Sequence, residues 1–213
     1  MYLPAHFAES RPDVLATLVR SHPFGLLVTQ NSDGGIDANS IPFVLDPGTA
    51  GTPGVLRGHV ARANPLWQTA RGDVDSLVVF QGPQGYVSPA WYPSKAEHGK
   101  VVPTWNYVMV QGRGRLSAID DAAWLHAFVT RLTERHEGTR DAPWAVSDAP
   151  ADYVATMLGA IVGIEIVLTS LTGKWKVSQN RPAADRAGVV AGLAREHGDP
   201  ALAREVQSPG GAS

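Results

Sequence analysis

The residues best suited to chemistry fall in four short blocks. Residues 86–107, YVSPAWYPSKAEHGKVVPTWNY, gather Pro89, Pro93, Pro103, Trp91, Trp105, Tyr86, Tyr92, Tyr107, Lys95 and Lys100, with Asn106 beside Trp105. Aromatic rings give large flat contact area, prolines stiffen a loop, and lysines meet an anion as point charges. Such a set suits a flat, charged ligand; it equally suits a rigid, well-packed connection between strands. In residues 58–65, GHVARANP, His59, Arg62 and Asn64 sit where a strand gives way to a short helix. A helix start offers free N–H groups to a phosphate, and an arginine fork can bind one in bidentate fashion. The plain alternative is a turn with an exposed arginine. Asn39 and Ser40 place small polar groups on a strand just before Pro42, an arrangement also found in an ordinary edge strand. Lys174, Lys176 and Arg181 bracket VSQN in residues 173–181, GKWKVSQNR, either closing a site or sitting as solvated charges.

Other chemistry is poorly supported. With no cysteine, disulfides, thiolate catalysis and cysteine metal sites are excluded. The histidines lack metal-ligand spacing, no GxSxG elbow occurs, and Gly112-Arg113-Gly114 has no second half of a dinucleotide fingerprint. A net charge of −2 argues against nucleic-acid binding driven by charge alone. No secretory signal is read at the start, and a cytoplasmic location is expected. Residues 153–171 are apolar enough to suggest a membrane span, but Glu165 and the β-branched run from Ile161 favour a strand.

These blocks need elements to hold them. A helix is expected from Ser10 or Asp13 with Val14, Leu15, Leu18 and Val19 on one face, ended by Pro23. Strands are expected over 24–29, 36–45, 55–61, 75–82, 104–119, 161–171 and 175–178, with a turn at 31–35. Helices are expected over 62–70, 121–136 (capped by Asp120), 151–158 and 186–197. Strands without regular βαβ alternation predict an α+β fold, mainly antiparallel, with peripheral helices. One domain is expected over residues 1–200, with 201–213 a partly disordered tail.

The chain resembles the PaiB family, FMN-binding negative transcriptional regulators built on a flavin-type split β-barrel. MYLPAHF, NSIPFVL, GHVARANP, VPTWNY and GKWKVSQNR match the family's order and spacing across residues 1 to about 195. The resemblance implies a Greek-key split barrel, FMN as cofactor, and a homodimer, with Trp91, Tyr92 and Trp105 as candidate interface residues. It favours Asn39, Ser40, His59, Arg62, Asn64, Lys95, Trp105, Asn106 and Lys176 as cofactor contacts. Negative regulation is implied without an evident DNA-binding motif, so DNA contact stays open; the 186–197 helix is the nearest candidate for it. A flavin-dependent oxidoreductase of the pyridoxamine-phosphate-oxidase or flavin-reductase type is the alternative, and no catalytic residue is assigned. A haem protein using His59 or His98 is a second alternative.

Overall fold

A single residue, Phe43, separates two strands that lie at opposite ends of the sheet order, and this forces the sheet to curl. The computed structural model describes residues 1–49, 51–196 and 200–210. In chain order the elements are β1 (Ala8–Glu9), α1 (Pro12–Ser21), β2 (Phe24–Gln30), β3 (Ile36–Pro42), β4 (Val44–Pro47), β5 (Gly54–Ala61), α2 (Leu66–Thr69), β6 (Asp75–Val87), α3 (Ser94–His98), β7 (Thr104–Ile119), α4 (Ala122–Glu137), α5 (Ala151–Gly159), β8 (Ile161–Lys176), α6 (Ala183–Glu196) and α7 (Pro200–Gln207). The chain forms two compact units. One comprises residues 1–22, 80–111 and 172–213; the other comprises 23–79 and 112–171.

The strands pair in the order β3-β2-β6-β7-β8-β5-β4, and β2, β3, β4 and β5 lie wholly in the second unit. The Asn31–Gly35 turn sets the β2–β3 hairpin, with Leu26 opposite Ser40 and Val28 opposite Ala38. The return strand expected over 36–45 breaks at Phe43. β3 stays with β2, while β4 crosses to pair with β5, Val44 opposite Arg57. Pro42 removes a ladder donor at that switch. Leu27, Ile41, Phe43, Leu56, Val60, Val78, Leu116, Val162, Ile164 and Ile166 fill the core. Alternate residues of β5, Arg57 and His59, face away from it. The helix expected over 62–70 contracts to α2, because Asn64 Oδ1 accepts the Leu66 N–H (3.0 Å) and starts the helix late. Asp121, not Asp120, caps α4 by accepting the Trp124 N–H at 2.7 Å.

In the first unit β1 pairs with β8, Ala8 opposite Lys174. Leu15, Leu18 and Val19 of α1 are buried, as the spacing predicts. Trp91 and Tyr92 are core residues, which corrects their assignment to an interface. Trp91 is received by α6, where a Cβ at Gly192 would overlap its indole ring. Residues 201–207 of the expected tail belong to α7, which buries Leu202, Ala203 and Val206. Residues 211–213 of that expected tail lie outside the described residues. Residues 161–176 form one strand, β8, and no described helix is long and apolar enough to cross a membrane.

Candidate functional site

The candidate residues form one group in each unit. In the second unit, Asn64 Nδ2 donates to Asn39 Oδ1 at 2.9 Å, joining β3 to the turn after β5. Ser40 is exposed next to Asn39. Arg62 follows at the same turn, but its fork already has partners. Nη1 and Nη2 hold Asp120 at 2.8 and 2.5 Å. Nε donates to the Gly159 carbonyl at 2.7 Å, and Nη2 to the Ile161 carbonyl at 3.2 Å. The guanidinium also lies 5.9 Å over the Trp67 ring. Asp120 is held below the usual carboxylate range, chiefly by its hydrogen bond from Arg62. His59 stands edge-on to Phe128 at 5.9 Å, its Nδ1 buried with no hydrogen-bond partner. Burial holds it below the ordinary histidine range and hence neutral.

In the first unit Trp105, Asn106 and Lys176 come together where β7 meets β8. Lys176 Nζ donates to Thr104 Oγ1 at 2.5 Å and to the Trp105 carbonyl at 2.7 Å. Trp105 is 50 % exposed. Its Nε1 donates to Gln84, and its ring meets Tyr86 edge-on at 6.5 Å. Asn106 is buried and donates to Ser178 Oγ at 2.9 Å. Ser178 has φ +66°, a left-handed conformation uncommon outside glycine. Gln179 secures it, accepting the Val177 N–H and donating to the Trp175 carbonyl. Lys95 is exposed on α3 and makes no hydrogen bond to this group.

Two further cations join Lys176. Lys174 is buried, donates to the Tyr2 carbonyl at 2.9 Å, and lies 5.4 Å from both the Tyr2 and Tyr107 rings. Arg181 lies 5.0 Å over the ring of Tyr92, whose hydroxyl is buried. Among the described residues none of the three cations has a carboxylate within ion-pair distance. Burial first, then the charges of Lys174 and Arg181, hold Lys176 below the usual lysine range. Burial raises Tyr92, and the nearby Arg181 opposes this. The sequence pointed to Lys174 and Arg181 as charges; their lack of acid partners among the described residues appears only in the fold.

Comparison with known proteins now gives this geometry a family. Residues 1–170 match the family described as "Putative FMN-binding domain". The chain belongs to this PaiB-type family. An uncharacterized protein of Emericella nidulans is 37 % identical, with 91 % of this chain and 90 % of that protein covered. Protease synthase and sporulation protein PAI 2 of Bacillus subtilis is 31 % identical, with 92 % and 90 % covered. A conserved hypothetical protein of Mycobacterium tuberculosis shares the fold, with a TM-score of 0.59 at 16 % identity over 85 % of this chain and 94 % of that one. The PaiB-type chain thus has the expected α+β split-barrel architecture, an antiparallel sheet with peripheral helices.

Proposed function

We propose that this PaiB-type chain binds FMN and holds its phosphate in the first unit through Lys176 and Arg181, with Lys174 adding charge. The supporting observation is the set of three partly or fully buried cations with no acid partner among the described residues. Burying like charges together is costly, and an anion relieves the cost. Half-exposed Trp105 offers a flat apolar surface for a ring system. The strained backbone at Ser178 fits a functional position rather than a plain strand end. Arg62 fits the phosphate role poorly, because Asp120 and two carbonyls already occupy its fork. Asn39, Ser40, His59 and Asn64 belong to the second unit and are not assigned to this phosphate site.

Bound FMN supplies hydride or single-electron transfer, so the protein's part is placement and electrostatics. A negative regulatory role is proposed with it, supported by the likeness to the PAI 2 protein of B. subtilis. Direct base reading by α6 is unsupported: its Gly188 and Gly192 pack on Trp91. A homodimer is proposed, supported by exposed apolar side chains on β2 and β3.

Titration of flavin-free protein with FMN and with riboflavin tests the cofactor reading. FMN is expected to bind more tightly. Lys176→Ala and Arg181→Ala should each weaken FMN roughly ten- to a hundredfold, the scale of a charge-assisted hydrogen bond, and leave riboflavin unchanged. Equal affinity for the two flavins, or unchanged FMN affinity in both variants, refutes the assignment.

A further inference from the structure

We propose that a pocket between β5 and α4 in the second unit binds a small, flat aromatic monocarboxylate. It is lined by Arg57, Trp124, Ala127, Phe128 and Arg131 and measures about 200 Å³. Its wall is aromatic. Trp124 and Phe128 stack at 5.3 Å with planes 15° apart, and His59 closes on Phe128 edge-on. Trp124 packs on β8 at Gly163, where a Cβ would overlap the indole. The two guanidiniums are anchored from one side. Arg57 Nε donates to Glu165 at 2.8 Å and Nη1 contacts Asp46, while Arg131 Nη1 donates to Asp46 at 2.9 Å.

These contacts balance the local charge, so the two forks offer a ligand hydrogen-bond donors rather than net charge. Among the described residues most N–H groups of the two forks have no protein acceptor, and an arginine fork matches a carboxylate. Arg131 is held below the ordinary arginine range by burial and by the charge of Arg57, and an added carboxylate would ease both effects. Size and charge then select. A cavity of ~150 Å³ with apolar walls accepts benzene, so this one admits a single ring bearing a carboxylate. An alkyl acid leaves the aromatic wall uncovered. A dianion meets Asp46 and Glu165 and is repelled.

Benzoate titration, followed through the tryptophan indole N–H resonances, tests the idea. Saturable binding is expected, with benzamide, acetate and phthalate each at least about fivefold weaker. Arg131→Gln should weaken benzoate about tenfold, the scale of one charge-assisted contact. Ala127→Leu, at an exposed position of α4, should fill the pocket and abolish binding without unfolding the chain. The result should be the same in flavin-free and FMN-loaded protein, since the pocket does not rest on the cofactor reading. Absence of saturation, equal binding of benzamide, or unchanged affinity in Ala127→Leu would overturn the proposal.

Discussion

Arginine 62 and lysine 176 show how partners decide what a cation can do. Arg62 bridges Asp120 and the carbonyls of Gly159 and Ile161, so it ties three segments of the second unit together. Arg62→Ala is therefore expected to lower the melting temperature of the ligand-free protein while FMN affinity holds. Lys176→Ala should do the reverse, and paired melting and titration curves check both. The Asp120 contact also sets a pH dependence. Its folded pKa is depressed, so its contribution is complete above the unfolded carboxylate value and vanishes as pH falls through the folded value. The melting-temperature gap between wild type and Asp120→Asn should accordingly close in acid; a constant gap across that range excludes the linkage. Screening keeps the effect small at an exposed pair. The sequence left Arg62 between a phosphate contact and an exposed turn residue; its actual partner lies 58 residues away, beyond any local pattern.

At the scale of elements, apolar periodicity made most strands legible. The run over 104–119 coincides with β7, and the apolar stretch after Ile161 is β8. What stayed hidden depended on distant contacts. The break at Phe43 follows from β4 choosing β5 over β2, and α2 was shortened by one side-chain bond from Asn64. The helix at 200–207 was overlooked because Ser, Pro and Gly follow it, although Leu202 and Val206 stand one turn apart on a buried face. At Gly114 the strands approach closely: a Cβ would overlap the Val167 carbonyl oxygen on the neighbouring strand. Backbone cannot yield as a side-chain tip can. Gly114→Ala should cost about 1–3 kcal/mol in chemical denaturation, the range of overpacking. Gly159→Ala, with nothing within 4 Å of its Cβ, is the control and should cost far less. Equal costs would mean that β7 and β8 separate freely.

At the scale of the whole molecule, β2 explains why a second copy is expected. Its inward residues, Leu27 and Thr29 among them, are buried, yet the opposite face is apolar too. Phe24 is 67 % exposed, Leu26 41 %, and Ile36 on β3 73 %. Val28 with Leu77, and Leu26 with Val79, extend this face onto β6. β3 also ends the sheet order, leaving one strand edge unpaired. A strand apolar on both faces is suited to cover on both, and contiguous exposed apolar surface marks an interaction site. In a twofold dimer any substitution counts twice. Burying a leucine contributes about 1.5–3 kcal/mol, so Leu26→Asp should cost at least about 3 kcal/mol per dimer. That weakens association on the order of a hundredfold or more. Light scattering at micromolar concentration should show wild-type dimer and Leu26→Asp monomer, with matching circular dichroism. A monomeric wild type would remove the dimer outright. A variant that stays dimeric would move the interface away from β2, because an aspartate buried without a partner at its centre could not be accommodated.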